Sequence, residues 1–68
     1  MLRALSSLLE TSSVTASGRA LGRPQSSMSR TLARLRALFG DPLLVSVGRT
    51  MRLTPRAQEL RTPVAQAL

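Results

Sequence analysis

The segment from Pro24 to Phe39 constrains the fold more than any other part of the chain. Large apolar side chains recur in it with the spacing i, i+4, i+7 and i+11, at Met28, Leu32, Leu35 and Phe39. This spacing predicts one helix with a single buried stripe. Because the stripe must pack against something, the rest of the chain is expected to supply a core around it.

The opposite face of this predicted helix is different in character. It combines small side chains, hydroxyls and positive charge, and it carries no acid: Ser26, Arg30, Ala33 and Ala37, flanked by Ser29 and Arg34. Such a face can approach a surface closely, and its charge suits phosphate, so we expect the helix to enter the DNA major groove. The alternative is an ordinary amphipathic helix with a solvated basic face, and this segment alone leaves both open.

The charge of the whole chain points to a polyanionic partner. Ten basic residues against three acidic ones give a net charge of +7, which is typical of nucleic-acid binding. An anionic membrane surface is the weaker alternative. No apolar run approaches the roughly 20 residues of a spanning helix, and the start lacks the pattern of a signal peptide. We therefore expect a cytoplasmic, nucleoid-associated protein that does not bind membranes.

The chain is short and chemically plain. Its 68 residues allow one small domain, and it contains neither cysteine nor histidine. The sequence therefore predicts no disulfide, no metal site and no cofactor. Its hydroxyl residues have no recognisable base beside them, so no catalytic residue and no enzyme activity are predicted.

Two helices are predicted before the central one. Leucines at helical spacing indicate a first helix from Leu2 to about Glu10. Thr15 is expected to cap a second, short helix that ends at Leu21, with Val14 packing across its first turn. Gly18, Gly22 and Pro24 then fit a close helix approach, a left-handed helix stop and the first turn of the third helix. Their order is that of a helix-turn-helix. Gln25, Ser26 and Ser27 would lie at the start of the third helix of the chain, which is the second helix of this motif.

A hairpin is predicted after the central helix. Gly40, Asp41 and Pro42 should end that helix, and residues 43–47 then form a strand with Leu43, Val45 and Val47 on one face. A turn at residues 48–50 and a second strand at 51–53 complete a small basic wing. Its tip residue, Arg49, would reach the minor groove, and Arg52, opposite Met51 and Leu53, would contact phosphate.

The last predicted element is a helix capped by Thr54, with Pro55 as its first residue. Its apolar stripe comprises Ala57, Leu60, Val64 and Leu68. Pro63 should kink or interrupt this helix. A stripe that reaches the last residue has either lost its partner or pairs with a second copy.

Taken together, the motifs resemble the N-terminal winged helix-turn-helix domain of LysR-type transcriptional regulators. The residues that carry the resemblance are, in order, Ser13-Val14-Thr15-Ala16, Ala20-Leu21-Gly22, Gln25, Met28-Ser29-Arg30, Leu32, Leu35, Leu38-Phe39-Gly40-Asp41-Pro42-Leu43-Leu44, Gly48-Arg49 and Leu53-Thr54-Pro55. The chain departs from the family at Ser17 and Gly18, at Pro24, Ser26 and Ser27, and at Ser46.

The resemblance implies a mainly helical fold with a small β-hairpin: a winged helix-turn-helix over residues 1–53 and the start of a linker or dimerisation helix over 54–68. It implies a homodimer that binds double-stranded DNA for sequence-specific regulation of transcription. The effector-binding domain that normally follows would be absent from this chain. An alternative function is a truncated interaction module that pairs through 54–68 with a full-length relative and modulates it.

Two sets of site residues follow from these arguments. The predicted DNA-binding residues are Gln25, Ser26, Ser29, Arg30, Arg34, Arg49 and Arg52. The predicted dimerisation residues are Leu60, Val64 and Leu68.

Overall fold

The structure, a computed structural model, describes residues 1–68 and contains four helices and one two-stranded sheet. The elements in chain order are α1 (Leu2–Thr11), α2 (Val14–Leu21), α3 (Gln25–Phe39), β1 (Leu44–Val47), β2 (Thr50–Leu53) and α4 (Pro55–Ala67). This architecture confirms the predicted mainly helical fold with a small hairpin.

Helix α1 lies at the centre of the packing, because it contacts all three other helices. Ala4, Leu5, Leu8 and Leu9 are almost fully buried on it. The predicted stripe of α3 faces the same core, with Met28, Leu32 and Leu35 buried and Phe39 half-buried. Helix α2 packs against both α1 and α3, and α4 packs against α1 and β2.

Helix α2 begins differently from the prediction. Ser13, not Thr15, is its N-cap: the Ser13 backbone is extended, and its hydroxyl accepts a hydrogen bond from the Ala16 N–H at 3.0 Å. Val14 is therefore the first helical residue and is not a staple outside the helix. Ala20, near the end of the helix, is exposed.

The turn between α2 and α3 is closed by hydrogen bonds to the end of α2. Gly22 adopts φ +64°, and the Arg23 N–H donates to the Gly18 carbonyl at 2.8 Å. These are features of a Schellman helix end. A Cβ atom on Gly18 would lie 2.8 Å from the Arg23 carbonyl oxygen. The absence of a side chain at Gly18 therefore lets this turn fold back onto α2, a role close to the predicted one.

The first strand of the wing begins at Leu44 rather than Leu43. Leu43 has a positive φ of 64°, and the Leu44 N–H donates to the Pro42 carbonyl at 2.6 Å, as in a γ-turn. Both leucines are buried, whereas Val47 is 51% exposed. The predicted shared face of Leu43, Val45 and Val47 is therefore wrong, because Leu43 leaves the strand conformation.

The two strands pair antiparallel around a two-residue loop. The register joins Leu44 to Leu53 and Val47 to Thr50, which leaves Gly48 and Arg49 as the tip. Gly48 has φ +63°, which suits the first loop position of such a hairpin.

Helix α4 starts as predicted. The Thr54 hydroxyl accepts from the Ala57 N–H at 3.1 Å, and Pro55 is the first helical residue. The helix continues without interruption past Pro63 to Ala67. Missing its own N–H, Pro63 removes one helical hydrogen bond from this element.

Candidate nucleic-acid interface

The outward face of α3 is open to solvent along its whole length. Its predicted contact residues, Gln25, Ser26, Ser29, Arg30 and Arg34, are all exposed. On the other side of the same helix, Met28 is fully buried. The two faces of α3 therefore divide as the spacing of apolar residues indicated, and the outer one carries no acidic side chain.

The beginning of α3 has unpaired backbone donors. Pro24 lies just outside the first turn, as the N-cap, because its backbone is extended and its carbonyl accepts from the Met28 N–H at 3.2 Å. Proline has no side-chain acceptor, so α3 has no capping hydrogen bond. The N–H groups of Gln25, Ser26 and Ser27 remain available, and such groups favour anionic ligands.

Arg23 contributes to this region a guanidinium that was not among the predicted contact groups. Its guanidinium donates to the Ser27 hydroxyl and to the Thr31 hydroxyl. The hydroxyl of Ser27 is therefore engaged by Arg23. The signal in the sequence was the spacing of Arg23, Ser27 and Thr31 at i, i+4 and i+8, although Arg23 itself precedes the helix.

The wing presents the two other predicted basic residues. Arg49 lies at the exposed hairpin tip, and Arg52 is exposed on β2. As predicted, Met51 and Leu53 alternate with Arg52 and are half-buried against the core.

Arg36 fixes the start of the wing to α3. Its Nε donates to the Pro42 carbonyl at 2.7 Å and its Nη2 donates to the Leu44 carbonyl at 2.8 Å. No role in DNA binding was predicted for this arginine from the sequence. Its guanidinium binds two backbone carbonyls around Leu43, and that of Pro42 also accepts from the Leu44 N–H.

Asp41, just after α3, is hydrogen-bonded to the start of the wing and to the cap of α4. Its Oδ2 accepts from the Leu43 N–H at 2.8 Å and from the Thr54 hydroxyl at 2.7 Å. The hydrogen bond from Thr54, then that from Leu43, hold the pKa of Asp41 below its ordinary value. Desolvation opposes this lowering, and the charge of nearby Arg56 adds to it. The end of α3, the start of the wing and the cap of α4 are thus one hydrogen-bonded unit.

The predicted dimerisation stripe is mostly used inside the chain. Val64 is 7% exposed and belongs to the core, and Leu60 is half-buried against it, whereas Leu68 is 61% exposed. Val64 is therefore part of the core of the single chain and not of an exposed stripe. Of the predicted stripe, Leu68 and part of Leu60 stay open to a partner.

None of the helices is long and apolar enough to cross a membrane. Nor does any group of three or more histidine, cysteine, aspartate or glutamate side chains come together to hold a metal ion.

Known proteins are similar to this chain in sequence and in fold. The family described as bacterial regulatory helix-turn-helix protein, lysR family, matches residues 1–58. Nodulation protein D 2 of Bradyrhizobium sp. (strain NC92) is 46% identical over 68 residues, which are the whole chain and 20% of that protein. The HTH-type transcriptional regulator LinR of Sphingobium indicum is 47% identical over 64 residues, 94% of this chain and 21% of that protein. The chain thus spans about a fifth of the length of these curated relatives.

Two solved structures have a fold similar to that of this chain. The probable transcriptional regulator PA0477 from Pseudomonas aeruginosa superposes with a TM-score of 0.90 at 33% identity, over 98% of this chain and 22% of that one. The BenM DBD/catB site 1 DNA complex has the same fold, with a TM-score of 0.85 at 24% identity, over 97% of this chain and 74% of that one.

The fold and the exposed basic helix define a DNA-binding domain of the winged helix-turn-helix class. The chain belongs to the LysR family of bacterial regulatory helix-turn-helix proteins, and several of its relatives are named transcriptional regulators.

Proposed function

We propose that α3 enters the major groove of double-stranded DNA and reads bases through Gln25, Ser29 and Arg30. The observation that carries this proposal is the outer face of α3. It is exposed throughout, combines small side chains with arginines, and has no acidic residue. Arginine and glutamine side chains make the bidentate base contacts that distinguish G and A in that groove. Serine can hydrogen-bond to several bases and to phosphate.

Phosphate contacts would set the register of the helix in the groove. The free N–H groups at the start of α3 lie beside Ser26, and Arg34 lies on the flank of the same helix. Arg52 on the wing would add a contact that does not depend on sequence. Contacts of this kind position a protein on DNA without specifying the bases.

The wing would place Arg49 in the adjacent minor groove or against the backbone. Its position at the tip of a two-residue loop leaves the side chain free on the protein surface. Arginine is the residue best suited to a narrow minor groove, where the potential is most negative.

Two copies of the chain would bind together as a homodimer on a two-fold symmetric site. The start of a pairing helix is present as α4, with Leu68 exposed and Leu60 partly so. Since one small basic domain contacts only a few base pairs, two copies on adjacent half-sites would provide the specificity that a single one lacks.

Selection of bound duplexes from a random DNA pool, followed by sequencing, tests this function. We expect a consensus with two-fold symmetry and a half-site spacing of about one helical turn or a multiple of it. The same selection with the Arg30→Ala variant should lose the preference at one position of each half-site. A pool in which nothing is enriched would overturn base reading by α3, and an asymmetric consensus would overturn the proposed pairing.

A further inference from the structure

Arg23 is the one arginine whose guanidinium is held by side-chain hydroxyls of α3. Its Nε donates to the Ser27 hydroxyl at 3.1 Å, and its Nη2 donates to the same hydroxyl at 2.6 Å and to the Thr31 hydroxyl at 3.1 Å. The Thr31 hydroxyl in turn donates to the Ser27 carbonyl at 3.1 Å. The Arg23 guanidinium therefore has a fixed position along one flank of α3.

Two donors of this guanidinium remain unused. An arginine side chain has five N–H groups, and the two on Nη1 have no acceptor within the protein. Ser27 and Thr31 are neutral partners, so they leave the positive charge of Arg23 uncompensated. The side chain is also exposed. A fixed planar cation with two free donors matches the oxygens of a phosphate group.

The position of Arg23 matches that chemistry. Ser27, Arg30 and Arg34 are spaced at i, i+3 and i+7, so they share one flank of α3, and both arginines are exposed. By binding Ser27, Arg23 extends this row of positive charge towards the start of the helix. The three acidic residues lie on other elements: Glu10 on α1, Asp41 beyond the end of α3 and Glu59 on α4.

We propose that Arg23 binds a backbone phosphate of the DNA, with Ser27 and Thr31 as the residues that position its guanidinium. This assignment rests on the proposed docking of α3 and adds a contact to it. Holding the side chain in place before binding reduces the conformational freedom that is lost when the phosphate is bound.

The charge of Arg23 is tested by the salt dependence of binding. The 68-residue protein is titrated against a labelled duplex from the pool selection, and against a scrambled duplex, at several salt concentrations. Each phosphate contact contributes about 0.9 to the slope of log K against log salt. We expect Arg23→Gln to reduce the slope by about 0.9 and to weaken binding to both duplexes about fivefold at roughly 0.15 M salt.

The matched control is Arg61→Gln. Arg61 is an exposed arginine on α4, not on α3, and its loss changes the net charge by the same amount. Its slope should remain that of the unmodified protein. Arg23→Lys, which keeps the charge but not the fork of donors, should keep the slope while weakening binding.

The positioning role is tested with Thr31→Val. Thr31 is only 8% exposed, so it offers the DNA almost no surface of its own. The substitution removes one of the three hydrogen bonds that hold the guanidinium. It should weaken binding about two- to tenfold without changing the slope. In the Arg23→Gln background, the same substitution should have no further effect on DNA affinity.

The outcomes separate this inference from the proposed function. If the unmodified protein binds no duplex, the proposed function fails, and the inference fails with it. If the unmodified protein binds with a salt-dependent affinity whose slope Arg23→Gln leaves unchanged, Arg23 only ties the turn to α3, and this inference alone is overturned.

Discussion

At the scale of single residues, the arginines of this protein differ by what their guanidinium groups contact. Arg36 donates to two backbone carbonyls and so belongs to the structure of the wing. Arg23 donates to two hydroxyls and keeps donors free. Arg30 has no hydrogen-bond partner in the protein and is fully available to a ligand. Identical side chains thus take different roles because their neighbours offer different acceptors.

Arg30→Ala should weaken binding to the selected DNA site more than binding to a scrambled site. A good base contact contributes about 1–3 kcal/mol of discrimination, and an exposed arginine can be removed without disturbing the core. Fluorescence anisotropy titrations on the two duplexes measure the difference. For comparison, Arg52→Ala should weaken both by the same factor, and an equal loss on both duplexes for Arg30→Ala would refute its base-reading role.

At the scale of elements, the boundaries of the helices are set by short-range hydrogen bonds. Ser13 caps α2, Thr54 caps α4, and Gly22 and Gly40 end α2 and α3 in the left-handed conformation. Each cap satisfies N–H or C=O groups that a helix end leaves open. The ends of α2 at Gly22 and of α3 at Gly40 therefore bound the segment in which α3 forms, although α3 itself starts without a side-chain cap.

Thr54→Val should destabilise the protein by about 1–2 kcal/mol, because the N-cap of α4 is lost. The substitution also removes one of the two donors to Asp41. Urea unfolding followed by circular dichroism measures the free energy of unfolding. Thr62→Val is the control, since this exposed threonine lies within the same helix and should change stability by less than about 0.5 kcal/mol. Equal effects of the two substitutions would contradict a capping role for Thr54.

Asp41 should make stability depend on pH only in acid. Its hydrogen bonds hold the pKa of the folded state below the ordinary value of 3.8, so the unfolded state binds the proton more readily. The contribution is therefore complete above about pH 5, and it is lost as the pH falls through the lowered pKa. Asp41→Asn should show a smaller loss of unfolding free energy between pH 7 and about pH 3 than the unmodified protein, in the same urea experiment. An unchanged pH profile would contradict this role.

At the scale of the whole molecule, helix α1 contacts each of the other three helices. Eleven buried apolar residues form a single core around α1, and α3 and α4 both place their stripes in it. The requirements of the core therefore compete with those of a dimer interface on α4. The core takes Ala57 and Val64, and little apolar surface remains on that helix.

The 68-residue protein should be monomeric at micromolar concentration without DNA. A stable interface buries on the order of 800 Å² on each partner. The whole protein has a surface of 4525 Å², and Leu68 is the one large apolar side chain that α4 and its C-cap expose. The net charge of +7 adds repulsion between copies. Sedimentation equilibrium checks the oligomeric state. With a two-fold symmetric duplex present, two copies per duplex are expected, and a stable dimer in the absence of DNA would show that α4 pairs more strongly than its exposed surface implies.

The sequence by itself determined the elements and the exposed face of α3. Both depend on the local spacing of apolar residues and on the short side chains or glycines that cap helices, such as Thr54, Gly22 and Gly40. These interactions span only a few residues, so they can be recognised without knowing the fold. The choice between Ser13 and Thr15 as a cap could not be made in this way, because both hydroxyls stand near the start of α2.

Only the tertiary structure decided which of these side chains are buried and which groups they contact. Leu43 adopts a positive φ because Asp41, Thr54 and the core hold it from three sides. Val64 packs against α1 rather than a second copy, and Arg23 and Arg36 acquire partners on other parts of the chain. The conformation of Leu43 and the burial of Val64 depend on contacts between segments that are distant in the sequence, whereas Arg23 and Arg36 bind groups four to eight residues away. The physical reason is that a short chain uses most of its large apolar side chains in one core, so few remain for a partner.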